Sequence, residues 1–503
     1  MQNKQENFDQ SGAVTLVMLV MLAVFFVFAT GILGWIFQSR KAIALKTHEM
    51  QALQVSEAGV SYYRWHLAHN EADYQDGNDW CCGDDDGDGV GDPDLSVEDC
   101  GRVCGPYTKV YKDFSGNDLG VYSLLITAPL AGSSFVEIES TGRINRDNSV
   151  EKTIRISLAK KSLAEYGLLS STAAWFGNTE AVSGALHSNG GIRMDGTCDA
   201  EITSSAEDEY NCYDAHHGCP LSNPMAPRIW SSTDNDVCQS YWNSSQVPTK
   251  NFELFTHNLD DIKAGALESR TYFGPTPSSR FGYDLVFDGN GGFDIRQVST
   301  LCDALKFEDD SGGTSVWNTE NERACDFRPS IHKSIPENGL IFVADDLWIS
   351  GEVKGRVTVA ASRFSISSSG RADIKIYDNL VYDQRYSGDD VLGLMAEGNI
   401  IVTQGAPGRL LNTTLHIDAM MLAQNGHVYG RNYYTNYLKQ GKILVYGGIV
   451  TNKFWTWSYS TNNIVTDGYV NTVLTYDSNL IFSPPPSFPS EDDFEIKSWS
   501  EIK

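Results

Sequence analysis

The sequence predicts a mostly β protein with one long amino-terminal α-helix, followed by a small antiparallel sheet and a right-handed parallel β-helix. Two observations support this prediction. An apolar, helix-periodic stretch fills the first seventy residues, and short alternating or β-branched strands bounded by Gly, Asn and Asp fill most of the rest. A β-sandwich is the alternative for the large carboxyl-terminal part, because strand spacing alone does not decide topology.

Composition narrows the classes of function. The chain has 503 residues, enough for two or three structural units, and 41% of them are hydrophobic, as in a folded protein. Acidic residues outnumber basic ones 65 to 38, which gives a net charge of −27 at pH 7. Nucleic acid is therefore disfavoured as a partner, because phosphate contacts require clustered Lys and Arg.

The first seventy residues predict one continuous helix. Residues 10–39 contain no charged side chain, and residues 13–37 are almost wholly apolar, which is long enough to cross a bilayer. A cleaved secretory signal fits poorly, since the apolar stretch is too long and no small-residue cleavage site follows it. Residues 40–70 lack proline and keep a helical apolar periodicity. We therefore expect a leader at residues 1–12 and a transmembrane and stem helix at residues 13–70, with an ordinary single-span anchor as the alternative.

The flanking charges and the cysteines disagree about orientation. Arg40, Lys41 and Lys46 follow the span, whereas Lys4 is the basic residue before it, so the positive-inside rule places the carboxyl side in the cytoplasm. An even number of cysteines in loop-like sequence after the span indicates disulfides, which persist in an oxidising compartment. We give the cysteines more weight and expect the body of the protein outside the cytoplasm.

Ten cysteines make up the predicted disulfide framework. They are Cys81, Cys82, Cys100, Cys104, Cys198, Cys212, Cys219, Cys238, Cys302 and Cys325. Their pairing does not follow from the sequence. Zinc is the alternative around Cys212, His216, His217 and Cys219, although this spacing matches no common paired-cysteine site.

An acidic loop between the first four cysteines predicts a calcium site. In residues 84–94 (DDDGDGVGDPD) the carboxylates alternate along the chain and glycines permit a sharp turn. The predicted oxygen ligands are Asp84, Asp86, Asp88, the carbonyl of Val90, Asp92 and Asp94. Six aspartates this close repel one another unless a cation neutralises them. We therefore predict a structural calcium ion within a disulfide-framed loop at residues 71–110, with a solvated acidic turn as the alternative.

Strand patterns follow the acidic loop. Residues 121–126, 135–140 and 153–158 alternate apolar with polar, and they predict a small antiparallel sheet at residues 111–162 that packs on the stem. Short strands from residue 184 onward predict a β-helix-like domain at residues 163–503, since each turn buries its apolar face by stacking. This domain is expected to contain a cysteine-rich insertion at about 197–328. A carboxyl-terminal cap is expected at about 476–503, with Phe488 and Trp499 packed on the end of the stack.

Signatures of catalysis are missing from the sequence. It contains no nucleophile elbow, phosphate loop, zincin helix or dinucleotide fingerprint. The candidate carboxylates for a catalytic groove are Asp345, Asp346, Asp373 and Asp418, a number that an acidic surface supplies by chance. The isolated histidines His187, His416 and His427 are more often structural than catalytic. We therefore predict that the chain is not an enzyme, with a glycan-active β-helix enzyme as the alternative.

Several aromatic residues are expected to be exposed. They are Tyr433, Tyr434, Tyr437, Trp455 and Trp457. Such rings stack on sugars or pack at the edge of a fold. A surface glycan is therefore a candidate partner.

Two groups of segments resemble parts of one protein family. At the amino terminus these are residues 12–17 (GAVTLV), which resemble a prepilin peptidase site, and residues 51–60 (QALQVSEAGV). Towards the carboxyl terminus they are residues 351–358 (GEVKGRVT), residues 393–400 (GLMAEGNI), Tyr476-Asp477 and residues 484–489 (PPPSFP). Together these segments resemble type IV pilus assembly proteins of the PilX-like minor pilin family. The resemblance covers about half of the chain, and its motifs are specific together rather than singly.

The resemblance implies a membrane-anchored subunit of a type IV pilus-like system. It implies cleavage by prepilin peptidase between Gly12 and Ala13, other pilins as partners through the helix, and movement from the inner membrane to the cell surface or an extracellular pilus. Val17 stands where major pilins carry glutamate, and Ala13 stands where they carry an aromatic residue. These departures resemble minor subunits that act in assembly, at the tip or in adhesion. The alternative is a single-span surface adhesin or glycan-binding β-helix protein.

Overall fold

The computed structural model describes residues 10–82, 95–129, 134–212, 224–233, 236–252, 255–308, 314–363, 370–403, 406, 413–430, 439–461 and 464–502. The chain divides into two compact units. The first consists of Met1–Ala128, Val136–Leu158 and Ile496–Lys503, and the second consists of Pro129–Phe135 and Ala159–Glu495. The predicted fold class is confirmed in that the protein is mostly β, with one long amino-terminal helix and an antiparallel sheet.

The first unit begins with helix α1, Gln10–His69, which is continuous over 60 residues. At 1.5 Å per residue its length is about 90 Å. Four antiparallel strands follow: β1 (Val103–Lys112), β2 (Asp118–Thr127), β3 (Val136–Ile144) and β4 (Asp147–Ser162). The strand Ser490–Glu501 from the carboxyl terminus lies next to β4 as the fifth strand of this sheet. The predicted three-strand sheet is therefore present as β2, β3 and β4, within a larger sheet.

The amphipathic half of α1 lies on this sheet. Its buried positions follow the three- and four-residue spacing of a helix face, and they are Ala52, Val55, Ser56, Val60, Tyr63, His66 and Leu67. The alternating burial along β2 and β3 places their apolar side chains against this face. The buried stripe begins at Ala52, so Ala42, Leu45 and Met50, which share the helical apolar pattern, are exposed.

The second unit contains twenty-eight labelled strands and two α-helices among the described residues. They are, in chain order, β5 (Leu168–Ser170), β6 (Ala174–Phe176), β7 (Glu180–Val182), β8 (Leu186–Ser188), β9 (Ile192–Met194), β10 (Thr197–Cys198), β11 (Ile202–Ser204), β12 (Glu209–Asn211), β13 (Met225–Pro227), β14 (Ile229–Trp230), α2 (Asp236–Gln239), β15 (Trp242–Gln246), α3 (Phe255–Glu268), β16 (Tyr272–Phe273), β17 (Tyr283–Asp288), β18 (Gly292–Glu308), β19 (Thr314–Phe327), β20 (Ile331–Ser334), β21 (Leu340–Val343), β22 (Leu347–Val353), β23 (Arg356–Ala361), β24 (Ile374–Tyr382), β25 (Val391–Ala396), β26 (Ile400–Val402), β27 (Thr414–Ala423), β28 (Val428–Gly430), β29 (Lys439–Thr451), β30 (Trp455–Thr456), β31 (Ser458–Thr461) and β32 (Ile464–Tyr476). The carboxyl-terminal strand Ser490–Glu501 is β33.

Parallel pairing dominates this unit. One ladder, which we call ladder one, runs β16, β21, β23, β25, β27, β29, β5, β8, β11 and β15, and each neighbouring pair is parallel. Ladder two runs β17, β22, β24, β26, β28 and β30, also in parallel. Ladder three runs β27, β29, β32, β7 and β10. This pairing contradicts the β-sandwich alternative, whose sheets are antiparallel.

An unbroken column of apolar side chains lies along ladder one. Its members pair in register and are at most 1% exposed: Ile341, Val359, Leu394, Met421, Ile449, Leu168, Leu186 and Ile202. Each strand is too short to bury its own side chain, so burial comes from the strands above and below. On the other face of the ladder, Leu259, Ile262 and Ala266 of α3 pack with Phe342 and neighbouring apolar residues.

The segment at about 197–328, which the sequence predicts to be one insertion, does not leave the parallel ladders as a single piece. Its first part supplies β10, β11, β14 and β15, which pair in parallel with earlier strands. The segments that leave the parallel pattern are the short antiparallel pair of β12 and β13 and the long antiparallel hairpin of β18 and β19. Sequence composition missed this division because polar, cysteine-rich strands stack as readily as apolar ones when their inward positions are apolar.

The carboxyl-terminal segment, which the sequence predicts to cap the end of the stack, lies elsewhere. Phe488 is buried in the cluster on the outer face of ladder one, and Trp499 is 52% exposed on β33. Residues 484–489, the proline segment, lie against the flank of β23 and β25 rather than at an end of the ladder, since Thr358 and Gly393 contact them. Proline has no N–H to donate to a ladder. The carbonyls of Pro486 and Pro484 instead accept hydrogen bonds from the side chains of Thr358 and Arg356.

Candidate functional site

The amino-terminal half of α1 is the first candidate functional element. From Val14 to Phe37 its large apolar side chains are exposed, and the most apolar eighteen-residue window of the helix has a mean hydropathy of 2.8. Among the described residues, α1 is long and apolar enough to cross a membrane. Gly12 and Ala13 lie within the first turn of this helix, and residues 1–9 of the predicted leader lie outside the described residues.

Two glycines set how closely the stem half of α1 approaches the sheet. A Cβ on Gly59 would lie 2.4 Å from Ser140 Oγ and 2.9 Å from a ring carbon of Tyr122. A Cβ on Gly142 would lie 2.3 Å from the carbonyl oxygen of Ala52 and 2.4 Å from the backbone nitrogen of Ser56. Both distances are far below van der Waals contact, so this helix–sheet contact requires glycine on each side.

Polar contacts tie the end of α1 to the segment that leads to the cysteines. The Tyr63 hydroxyl donates to the carbonyl of Asp73 at 3.0 Å, and His66 Nε2 lies 3.1 Å from Asp73 Oδ2. The Tyr62 hydroxyl donates to Asp76 Oδ1 at 2.9 Å, and Lys109 Nζ lies 2.9 Å from Asp76 Oδ2. Burial raises the pKa of Tyr62, so it remains a neutral donor. The segment after the helix is therefore held on the sheet.

Nested disulfides frame the acidic loop. Cys81 is joined to Cys104 with a Cα–Cα distance of 4.4 Å, and Cys82 to Cys100 with 5.7 Å. The backbone N–H of Gly105 also donates to the carbonyl of Cys81 at 2.7 Å. The two ends of the loop are thus brought together on β1.

The predicted calcium ligands themselves lie outside the described residues. They are Asp84, Asp86, Asp88, Val90, Asp92 and Asp94. Among the described residues, the sulfur atoms of Cys81, Cys82 and Cys100 come close enough to share a metal ion. These sulfurs belong to the two disulfides, and metal binding by cysteine requires the thiolate, so their proximity reflects the bridges.

The second unit carries the remaining cysteines. Cys198 on β10 is joined to Cys238 on α2 with a Cα–Cα distance of 5.4 Å, and Cys302 is joined to Cys325 across the β18–β19 hairpin with 5.8 Å. Cys212 is also disulfide-bonded. His216, His217 and Cys219 lie outside the described residues. Because Cys212 is bonded, it is not available as a zinc thiolate.

The carboxylates considered for catalysis fall into two separate places. Asp345 accepts from Thr276 Oγ1 and pairs with Arg363, and Asp346 pairs with Arg363 and Lys375, both at 3.0 Å. Burial alone would raise the pKa of Asp345, but hydrogen bonds from Thr276 hold it below its ordinary value. The side chain of Asp373 accepts from the backbone N–H of Asn399 at 2.7 Å, which links the segments that precede β24 and β26.

Asp418 belongs to a different cluster. Its buried carboxylate accepts two hydrogen bonds from the Arg385 guanidinium, at 2.5 and 2.7 Å, and one from the backbone N–H of Tyr382 at 2.9 Å. Burial raises the pKa of Asp418 although Arg385 opposes the shift. His416 lies beside Arg385, and burial lowers the pKa of this histidine. Both oxygens of this carboxylate therefore accept hydrogen bonds from β24 or from the turn that follows it.

Two aromatic residues that the sequence predicts to be exposed are buried. Trp455 and Trp457 are each 1% exposed, and their rings pack edge-to-face with centroids 5.4 Å apart. The prediction of exposure was wrong for both residues because the local sequence does not tell which side of this segment faces the core. Tyr433, Tyr434 and Tyr437 lie outside the described residues.

Sequence reasoning missed a polar groove in the second unit. Its volume is about 530 Å³, and it is lined by Gly370, Arg371, Asp373, Glu397, Gly398, Asn399, Asn425, Gly426 and Lys453. These residues come from the turns that precede β24, β26, β28 and β30, and a single-sequence motif does not reveal that they meet. Burial raises the pKa of Asp373 in this groove, and the neighbouring charge of Asp346 acts in the same direction.

The carboxyl-terminal segments of the family resemblance meet in space. The Thr358 hydroxyl donates to the carbonyl of Pro486 at 2.5 Å, and the Arg356 guanidinium donates to the carbonyls of Ser483 and Pro484. A Cβ on Gly393 would lie 2.8 Å from Pro485. Residues 351–358, residues 393–400 and the proline segment therefore form one packing unit, and spacing along the chain gave no signal of this.

Comparisons with known proteins add little. The sequence matches no protein-family model and no curated protein. Among solved structures, the chain is similar to the competence-associated pilin ComZ from Thermus thermophilus, with 13% identity over 90% of this chain and 97% of that chain, and with a TM-score of 0.26. A TM-score this low does not establish a shared fold, so the chain's own residues must support any functional conclusion.

Proposed function

We propose that this chain is a minor pilin-like subunit of a type IV pilus-like system that acts in assembly, tip formation or surface adhesion. One observation supports this most strongly: α1 is a single continuous helix whose first half is apolar and exposed and whose second half is seated on an antiparallel sheet. An apolar half that no described part of the unit covers needs lipid or other helices around it. The same helix then serves first as an anchor and later as the contact with other subunits.

The family resemblance supports the proposal at two further places. Residues 51–60 begin the buried face of the stem, where Gly59 meets the sheet. Residues 351–358, residues 393–400 and the proline segment pack together. The resembling segments are thus places where packing constrains residue type, as expected when a likeness reflects a shared structure.

The proposal names partners and a location. Prepilin peptidase cuts between Gly12 and Ala13 at the inner membrane, and other pilins or minor pilins then contact the exposed apolar side chains of α1. The second unit is displayed at the cell surface or on an extracellular pilus. We further infer that its parallel ladders close into a β-helix, since each strand pairs with the corresponding strand of the next coil.

The test of the proposal is the mature amino terminus. The full chain is co-expressed with a prepilin peptidase, recovered from membranes and sequenced from its amino end. We expect the mature protein to begin at Ala13, and Gly12→Leu to keep the leader. Gly31→Leu, in the same helix where a Cβ meets nothing within 4 Å, is the matched control and should be cleaved normally.

An intact leader in the unsubstituted chain would contradict the proposal. It would favour the alternative of a permanently anchored surface adhesin or glycan-binding protein. The polar groove of the second unit is the observation that favours a sugar ligand, because it presents amide, carboxylate and basic side chains from Asn399, Asn425, Asp373 and Lys453 together. Retention in the membrane fraction after cells are sheared is then expected.

We propose that the chain is not an enzyme. Asp345, Asp346 and Asp418 pair with the basic side chains of Arg363, Lys375 and Arg385, an arrangement that stabilises a stack. Turnover of an acidic polysaccharide that Asp373→Asn abolishes would overturn this part of the proposal. Asp389→Asn, an exposed aspartate elsewhere in the unit, is the control.

Calcium binding in the acidic loop is a further part of the proposal. The nested disulfides hold both ends of the loop together, which reduces the ordering cost of gathering oxygen ligands. Calorimetric titration of the full chain should give a dissociation constant of roughly 0.1–1 mM, as in extracellular calcium modules. Asp86→Asn and Asp88→Asn together should abolish that heat, whereas Asp389→Asn should not; an unchanged titration would contradict the calcium site.

A further inference from the structure

Phe114 stands at the tip of the β1–β2 hairpin, and its side chain is fully exposed. The turn beneath it, residues 113–117, is held firmly. Asp113 Oδ1 accepts from the backbone N–H groups of Ser115 and Asn117 at 2.8 and 2.9 Å, and Asp113 Oδ2 accepts from Asn117 Nδ2 at 3.0 Å. A large apolar ring on an ordered turn binds a partner without paying for loop ordering.

Strand register places this tip at one end of the sheet. Along β3, Ser140 lies against Gly59, Gly142 lies against Ala52 and Ser56, and the strand leads into the turn before Asp147. His48 Nδ1 lies 3.3 Å from Asp147 Oδ2. β3 therefore runs towards the amino end of α1.

The hairpin tip extends further in the same direction. Gly120 of β2 pairs with Ile144 of β3, and Ile144 pairs with Asp147. The turn that precedes β2 consequently lies beyond the level of His48, on the side from which α1 continues to its apolar half. Leu119, which is 45% exposed, accompanies Phe114 there.

Distances along the helix bring this tip to the bilayer surface. Phe37, the last residue of the apolar stretch, is eleven residues below His48, which is about 16 Å. The tip reaches two or three strand residues past the level of His48, about 7–10 Å. The remaining gap of about 6–9 Å matches the headgroup layer, which is roughly 5–8 Å deep on each side.

The surroundings of the tip suit an interfacial position. On α1, Ile43, Leu45 and Met50 are exposed just above the span. Arg40, Lys41 and Lys46 lie at the same level of the helix. Aromatic and aliphatic side chains beside basic residues are typical of segments at the boundary between headgroups and acyl chains.

We propose that the β1–β2 hairpin tip is a second membrane contact, in which Phe114 and Leu119 enter the headgroup–acyl boundary of a lipid bilayer while α1 spans it. Two contacts restrict rotation and tilt of the first unit on the membrane, whereas a helix alone leaves both free. The proposal rests on membrane insertion of α1 and not on filament assembly, so it survives if the leader is never cleaved.

Spin-label accessibility tests the proposal on the full chain. The chain is reconstituted in vesicles of phosphatidylethanolamine with phosphatidylglycerol, and a nitroxide is attached at Ser115→Cys beside the intact Phe114. Thr108→Cys, an exposed position higher on β1, carries the control label. Collision of each label with oxygen, which partitions into lipid, is compared with collision with a water-soluble nickel chelate. Resistance to alkaline extraction reports insertion of α1 separately.

The expected result is a several-fold higher oxygen-to-nickel ratio at Ser115→Cys than at Thr108→Cys. Adding Phe114→Ser to the Ser115→Cys chain should remove this excess while leaving the circular dichroism spectrum unchanged, because Phe114 makes no buried packing. Equal ratios at the two sites in an inserted chain would overturn the proposal, as would an excess that persists in Phe114→Ser. Protection that rises with the protein-to-lipid ratio would identify a second copy of the chain as the contact and would also overturn it.

Discussion

Ile449 of β29 pairs in parallel register with Leu168 of β5. Leu168 begins the first strand of the second unit, and Ile449 lies in one of its last strands. The chain therefore builds the stack in two runs. The run from β16 to β29 comes later in the sequence, yet its final strand lies beside the first strand of the run from β5 to β15. The amino-terminal and carboxyl-terminal parts of the unit complete one hydrophobic column.

Shortening the side chain of Leu168, where the two runs of strands meet, should strongly lower the stability of the second unit. Leu168 is 1% exposed and sits between Ile449 and Leu186 in the column. Leu168→Ala leaves a cavity between two runs of the stack and should lower the free energy of unfolding by about 2–5 kcal/mol. Denaturant titration of the full chain measures this. Leu267→Ala, at an exposed position of α3, should change the free energy of unfolding by less than about 0.5 kcal/mol. Equal effects of the two substitutions would contradict the packing of Leu168 between Ile449 and Leu186.

The contact between stem and sheet should not tolerate a methyl group. Gly142→Ala places a Cβ against backbone atoms of Ala52 and Ser56, which cannot move without shifting α1. We expect a loss of about 1–3 kcal/mol from overpacking. Hydrogen exchange should quicken at the buried stem residues between Ala52 and Leu67. Gly177→Ala, where a Cβ meets nothing within 4 Å, is the control, and unchanged exchange in Gly142→Ala would show that the contact is looser than the distances indicate.

The hydroxyl of Thr358 should hold the proline segment in place. Thr358 is buried, and Thr358→Val keeps its shape while leaving the buried carbonyl of Pro486 without this donor. The expected loss is about 1–3 kcal/mol in the free energy of unfolding. Cleavage by a protease between residues 477 and 490 should also become faster. Thr179→Val, at an exposed threonine, should alter neither quantity, and a stable, protease-resistant Thr358→Val would argue against the role of this bond.

A buried carboxyl should make stability depend on pH. Burial raises the pKa of Glu180 from 4.5 to about 7, although hydrogen bonds from the backbone N–H of Gly177 and the hydroxyl of Ser458 oppose the shift. Between these pH values the folded protein keeps a proton that the unfolded chain has lost. The stabilisation is therefore complete below about pH 4.5 and falls as the pH rises to about 7, by roughly 3 kcal/mol in total.

Comparison of two variants isolates the contribution of Glu180. Glu180→Gln removes the titrating group and should flatten the fall in unfolding free energy between pH 4.5 and 7 relative to the unsubstituted chain. Glu207→Gln, at an exposed glutamate of the same unit, should leave the pH dependence as it was. Parallel curves for the unsubstituted chain and Glu180→Gln would show that this carboxyl does not hold its proton in the folded state.

Local patterns in the sequence predicted several elements well. The helix was predicted because the spacing of Ala52, Val55 and Tyr63 is periodic and no proline interrupts it. The small sheet was predicted because alternation along β2 and β3 matches one buried and one open face. In both cases the prediction depends only on residues within a few positions of one another.

Other features depend on residues far apart in the chain. The polar groove joins turns that precede several strands of ladder two, and the burial of Trp455 and Trp457 depends on which side of their segment faces the core. The sequence also left the disulfide pairing undecided. Cys100 and Cys104 lie within a few residues of each other, so the sequence separation from Cys81 does not tell which of them is its partner. The number of residues between two positions does not tell which of several possible contacts or disulfide partners is formed.

By itself the sequence determined the continuous amino-terminal helix, the apolar length of its first half and the strand-rich character of the body, because these follow from periodicity and side-chain type. Only the tertiary structure decided that Ile449 meets Leu168, that the proline segment lies along β23 and β25, and that Phe114 is fully exposed at the tip of the β1–β2 hairpin. Parallel strands accept any partner with a matching apolar column, so the choice among partners is made by burial summed over the whole stack.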